Sequence, residues 1–309
     1  MLRVSTMGSH EFQLAQNLRT QTRMNEIQLQ IASGYKAQAY SETAEDAGRL
    51  LNLESAISTT SAYQKNVATI ERRLNLMESS VASLFEIATN LRTNLIQATN
   101  ANNADEMDMT SLASGMLQEA ANQLNVDDEG RYLFAGARTD VQPVDITGFD
   151  STNPGYNPAD PSTANFGYYT GDNQILTGRI DDNLALDYGI PANESGFENL
   201  MRALDITVRA GVPGASDQDQ LNVALDLVNQ AITEIPNIRT RIGTDLVTLE
   251  NTDKKHENLQ LFTEEFITNI EATDVPEAMA RLGFAELQLE ASYSVTARLS
   301  QITLVNFIR

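Results

Sequence analysis

Two histidines, His10 and His256, are the only imidazoles among 309 residues, and cysteine is absent. Imidazole and thiolate are the groups that most often hold a transition metal or carry a nucleophilic step near neutral pH. Without cysteine there is no disulfide, no thiolate chemistry and no Cys-based zinc site. Neither histidine stands at ligand spacing from a carboxylate motif, and HExxH is missing, so each reads as a polar helix residue. No GxxxxGK[ST] or GxGxxG stretch offers a phosphate cradle. Asp150-Ser-Thr-Asn-Pro-Gly155 hints at a calcium loop, but Pro154 and Pro161 occupy positions where oxygen ligands are needed, so it reads as a turn. The acidic runs Asp127-Asp128-Glu129 and Asp181-Asp182 read as solvated surface, because a catalytic carboxylate pair requires a geometry that spacing alone does not supply. The expectation is a chain with no catalytic residue, no metal and no cofactor.

Charge narrows the partners. The formal net charge of −21 repels phosphate backbones and argues against nucleic acid. It is unevenly spread. Residues 1–40 hold Arg3, Arg19, Arg23 and Lys36 against Glu11 and Glu26; residues 270–309 hold Arg281, Arg298 and Arg309 against Glu271, Asp274, Glu277, Glu286 and Glu290. The two ends cancel, and the acidic excess lies between them. A neutral surface can be crowded against copies of itself, whereas an acidic one resists it. This predicts packed ends and a solvated middle. No stretch reaches about 18 apolar residues, so no membrane span is expected. Met1 to Leu14 lack the apolar run of a cleavable signal.

The elements follow from periodicity. Tyr63, Val67, Ile70, Leu74, Met77, Val81, Leu84, Ala88, Leu91 and Leu95 are spaced by alternating steps of four and three, with no Pro or Gly among them. That is the seam of a coiled coil. Thr43-Ala-Glu-Asp46 offers a capping box, and a helix from about 44 to 100 would be roughly 85 Å long at 1.5 Å per residue. Its seam must face other long helices, chiefly those of 217–270. Earlier helical pattern covers about 9–33, closed by Gly34, and later pattern covers about 105–126. Residues 130–215 then hold eleven of seventeen Gly, six of eight Pro and nine of nineteen aromatics. Within them 131–135, 166–169 and 174–180 read as strands between turns, and 197–210 as a short helix leading out. Leu221, Leu225, Val228 and Ile232, then Ile238, Ile242, Leu246 and Leu249, restore the helical stripe, with Pro236 a point of kink or division. Asp274-Val-Pro-Glu277 reads as the start of a last helix. The predicted fold is mainly α: a long antiparallel coiled-coil bundle built from both chain ends, with a small β-rich domain inserted.

Several segments resemble the bacterial flagellin superfamily. Leu29-Gln-Ile-Ala-Ser-Gly-Tyr-Lys36 followed by Thr43-Ala-Glu-Asp-Ala-Gly48 is similar to that family's N-terminus, and the stretch from Ala291 to Ile308 to its C-terminus. Gly130-Arg-Tyr-Leu-Phe-Ala-Gly136 with Thr139-Asp140, and Tyr169-Thr-Gly-Asp172 with Arg179-Ile-Asp-Asp-Asn183 and Leu186-Asp-Tyr-Gly189, look like its hook-filament junction branch. The resemblance implies a structural flagellar subunit outside the cell, exported by the type III apparatus without a cleaved signal. It implies an adaptor that assembles with copies of itself in a helical ring, with hook-associated protein 1 below and flagellin above, and is held by an export chaperone in the cytoplasm. A flagellin that builds the filament itself shares the outer helices and stays open as an alternative.

Three regions are then expected. Residues 1–42 with 272–309 would form terminal helices of an inner tube, 43–130 with 196–271 a rod, and 131–195 an outer insertion. The apolar terminal residues Leu14, Leu18, Ile27, Ile31, Leu282, Leu289, Leu299, Leu304, Phe307 and Ile308 exceed what one helix pair can bury and are the expected assembly interface.

Overall fold

The computed structural model of the chain describes residues 2–37, 46–99, 108–150, 164–210 and 218–307. Its helices are α1 Leu2–Ser33, α2 Ala47–Thr99, α3 Met109–Leu124, α4 Ser195–Ala210, α5 Gln218–Glu271 and α6 Val275–Phe307; its strands are β1 Asp127–Asp128, β2 Arg131–Tyr132, β3 Thr177–Asp181 and β4 Leu184–Asp187. The fold is mainly α. The expected capping box at Thr43 and the calcium-like turn after Asp150 lie outside the described residues. Two compact units form, one from Met1–Ser58 with Leu259–Arg309, the other from Thr59–Asn258.

In the 59–258 unit, α2 and α5 run antiparallel. Arg239 of α5 donates two bonds to Glu78 Oε1 of α2, at 2.8 and 2.6 Å, and Gln218 donates to the Thr99 carbonyl at 3.1 Å. Paired positions 78 with 239 and 99 with 218 have the same sum, as an antiparallel register requires. Val67, Ile70, Leu74, Met77, Val81, Leu84, Ala88, Leu91 and Leu95 are all buried, and Tyr63 is half-buried. On α5 the buried apolar positions are Leu221, Ala224, Leu227, Val228, Ala231, Ile235, Ile238, Ile242 and Leu249, while Leu225, Ile232 and Leu246 are only partly covered. The start of α4 comes close to α5 at Gly196. A methyl at Gly196 would lie 3.2 Å from Ile235 N and from Glu234 Cβ. Pro236 sits inside α5 without dividing it.

Helix α4 is the core of this unit rather than an exit from the insertion. Every residue from Gly196 to Thr207 is buried, including Glu198, Asn199, Arg202 and Asp205. Its charges are answered at short range. Arg202 pairs with Glu198 at 2.9 Å, the Asn165 amide donates to Glu198 at 2.8 Å, and Asn199 donates to Glu234 at 3.1 Å. Burial pushes the Glu198 carboxyl up, and the Asn165 amide and Arg202 pull against it.

The 131–195 segment builds no separate core among the described residues. Leu133, Phe134, Tyr168, Ile180, Tyr188 and Ile190 belong to the same apolar cluster as the α2 seam. Its strands are fewer than the aromatic runs suggest, because single backbone bonds to scattered partners replace ladders: Leu133 N donates to Val126 O at 3.1 Å, Asp172 N to Ala135 O at 3.1 Å and Ala192 N to Phe134 O at 2.8 Å. Side chains hold the loops between them. Asn125 bonds both the amide and the carbonyl of Val144 at 2.9 Å, and Asp172 Oδ1 accepts from the amides of Ala137 and Gln174. Residues 131–135 are strand only at Arg131–Tyr132, and 166–169 form a turn. The β1–β2 hairpin turns on Glu129 and Gly130, both at positive φ, as a two-residue turn of this kind requires. Gly136 also needs its positive φ, and a Cβ there would meet the Asp172 carbonyl at 2.2 Å. The acidic run at 127–129 is not all solvated surface. Asp128 is buried, with Arg72 at 2.6 Å and Arg73 at 3.1 Å.

Replacing Leu84 with Ala should destabilise the 59–258 unit by about 2–5 kcal/mol, since the side chain is fully enclosed. Urea unfolding of the monomer followed by circular dichroism measures it; a loss under about 0.5 kcal/mol would show that the seam is not core.

Candidate assembly surface

Helices α1 and α6 form an antiparallel pair in the other unit. Gln21 Nε2 donates to the Tyr293 hydroxyl at 2.8 Å, Ser292 Oγ donates to Asn17 Oδ1, and Tyr35 bridges Ala272 at the pair's end. Among the described residues the buried positions on these two helices are Asn17, Ile27, Ala278 and Ala285, mostly small or polar. Small residues let two helices approach closely, but they remove little apolar area from water.

The large apolar side chains point elsewhere. Phe12, Leu14, Leu18 and Leu29 are exposed on α1, and Met279, Phe284, Leu287, Tyr293 and Val295 on α6; Leu18 is 56 % and Phe284 73 % exposed. At 100° per residue Leu14, Leu18 and Leu29 share one face of α1, and Phe284, Leu287 and Val295 one face of α6. Near the end of α5, Leu259, Leu261, Phe262 and Phe266 are also exposed, with the two rings edge to face at 4.7 Å. Exposed large apolar side chains that share a helix face are a candidate interaction surface.

Of the expected interface residues, Leu14 and Leu18 are therefore open, Ile27 is buried within the pair, and Ile31, Leu282 and Leu289 are half-covered. The side chains of Leu299, Leu304 and Phe307, and all of Ile308, lie outside the described residues. Phe12, Leu29, Phe284 and Leu287, not among the expected interface residues, are exposed as well. Tyr63, read as the first seam position, works as a polar anchor. Its hydroxyl donates to Asp182 at 2.8 Å, its ring stacks on His256 at 5.8 Å, and the Arg179 guanidinium lies 6.0 Å from the ring centre. His256, read as a polar helix residue, is buried with Nε2 2.8 Å from the Ile180 carbonyl.

Among the described residues no group of three or more potential metal ligands comes together, and no helix is long and apolar enough to cross a membrane. What the unit of terminal helices presents is apolar surface, and the regions matched by known families are the ones that carry it. The bacterial flagellin N-terminal helical region matches residues 4–139, and the bacterial flagellin C-terminal helical region matches residues 225–308. The chain belongs to the bacterial flagellin family. It is a structural component of the flagellum. Flagellar hook-associated protein 3 of Escherichia coli (strain K12) is 23 % identical over 293 residues, spanning 89 % of this chain and 90 % of that one. The protein of the same name from Salmonella typhimurium is 21 % identical over 331 residues and spans all of both chains. Among solved structures, a flagellar hook-associated protein described as putative, from Vibrio parahaemolyticus, shares the fold at a TM-score of 0.61 and 19 % identity, covering 75 % of this chain and all of that one. FlgL from Bacillus cereus does so at 0.55 and 16 %, covering 70 % of this chain and 99 % of that one.

Because Leu18 and Phe284 are open, replacing either with Ala should change the monomer's thermal unfolding by no more than about 0.5 kcal/mol. Ala278→Leu, which overfills the closed contact between the helices, should cost about 1–3 kcal/mol. Equal effects at both kinds of site would show that the pair is packed differently.

Proposed function

We propose that this flagellin-family subunit is an adaptor that joins the hook to the flagellin filament by helical self-assembly. One observation carries the reading: it aligns end to end with a hook-associated protein 3, so the likeness includes residues 131–195 and not only the helices shared by the whole family. The exposed apolar faces of α1 and α6 supply the means. Copies of the chain in a ring would cover them, and each large side chain so buried contributes about 1.5–3 kcal/mol. On this reading the terminal helices 1–42 and 272–309 form an inner tube, 43–130 with 196–271 the layer around it, and 131–195 the outside. The neighbours are hook-associated protein 1 on the hook side and flagellin on the other. The subunit leaves the cell by type III export without a cleaved signal, held beforehand by a chaperone.

Electron microscopy of isolated flagella with an antibody against this chain tests the adaptor role. Label confined to the hook-filament boundary is expected. Label along the filament would overturn the adaptor reading in favour of a filament subunit.

A further inference from the structure

The break between α5 and α6 is closed by bonds from another part of the chain. In an unbroken helix the carbonyls of Asn269, Ile270 and Glu271 would accept from the amides of Thr273, Asp274 and Val275, four residues on. Here all three are taken by Lys36. Its ammonium donates to Asn269 O at 3.1 Å and Ile270 O at 2.9 Å, and its amide donates to Glu271 O at 2.7 Å. The Thr273 amide, left over by the exchange, donates to Gly34 O at 2.8 Å. Gln30 Nε2 steadies the same turn by donating to Lys36 O at 2.8 Å.

The turn reaches these groups because Gly34 adopts φ +80°, which ends α1 and redirects the chain towards residue 272. Each carbonyl that would carry α5 into α6, and the Thr273 amide, therefore has a substitute partner in residues 34–36. The break also has local support within 272–276. Asp274 Oδ1 accepts from the Glu277 amide at 3.1 Å, which caps α6, and Pro276 lacks an amide. A proline does not by itself end a helix in this chain, since Pro236 lies within α5.

We propose that the 34–36 turn is a clasp that holds α5 and α6 apart, and that with the clasp undocked the two join as one helix through residues 272–274. The two arrangements exchange the i to i+4 bonds of a continuous helix for two ammonium and two backbone bonds from residues 34–36, the kind of exchange a bistable element uses. Lys36 lies just beyond the end of α1, so seating α1 and breaking the long helix are one event. The inference rests on this geometry and is independent of the adaptor role.

The test uses the full chain as a monomer, with backbone carbon shifts and amide exchange read at 272–275. Gly34→Val with Lys36→Met removes both the left-handed turn and the ammonium. The expected result is helical shifts at Ala272, Thr273 and Asp274, with exchange of the Asp274 and Val275 amides slowed by about tenfold or more. Adding Val275→Pro, which suits the first turn of α6 but cannot donate to Glu271, should return these residues to the broken form. Lys36→Arg should keep the wild-type shifts. Unchanged or disordered shifts in the double variant, or helical shifts that survive Val275→Pro, would overturn the clasp. If the double variant fails to fold, Lys36→Met alone is read by the same criteria.

Discussion

The 59–258 unit is arranged around the burial of α4 from Gly196 to Thr207. A helical stretch in which every successive residue is buried must have apolar surface facing it from all directions and a partner for each of its buried charges. The apolar surface comes from α2, α3, α5 and the loops around Phe134 and Tyr168, which share one cluster. The partners come from within α4 and from its neighbours: Glu198 with Arg202 and the Asn165 amide, Asn199 with Glu234, Asp205 with Arg209. Losing one member of such a set would strand a buried charge, so the insertion and the long helices hold each other in place.

The terminal unit is built on the opposite principle. Among the described residues two helices meet around Asn17, Ile27, Ala278 and Ala285, while Phe12, Leu14, Leu18, Phe284 and Leu287 stay exposed. Burying those side chains against other copies would help offset the roughly 1–2 kcal/mol per residue that ordering the backbone costs. The near-neutral ends, set beside an acidic middle, leave little repulsion to oppose such packing. On the proposed reading one subunit carries a finished core and an unfinished one, which neighbouring subunits complete.

The seam on α2 was legible because nine enclosed apolar residues keep a spacing that only a long helix among helices can use. The pairing of the first and last helices was also within reach. The burial of α4 was not, since Glu198, Arg202, Asp205 and Arg209 give it the composition of a surface helix. On α5 the expected stripe holds at Leu221, Val228, Ile238, Ile242 and Leu249, while Leu225 and Ile232 are only partly covered and Ala224, Leu227 and Ala231 are buried beside it. The aromatic runs at 131–135 and 166–169 hold buried apolar residues but form little strand, because their backbone groups bond to scattered partners: Leu133 N donates to Val126 O, Phe134 O accepts from Ala192 N, Ala135 O accepts from Asp172 N and Tyr168 O accepts from Asp145 N. The bonds between Lys36 and residues 269–271 join positions more than 230 apart, with no periodicity to announce them.

Hydrogen exchange on the same protein, first as a verified monomer and then incorporated in flagella, tests the unfinished core most directly. The amides of α1 and α6 should exchange quickly in the monomer and slowly in the assembly, while those from Leu74 to Leu95 stay slow in both. Strong protection of α1 and α6 in the monomer, equal to that in the assembly, would contradict the account.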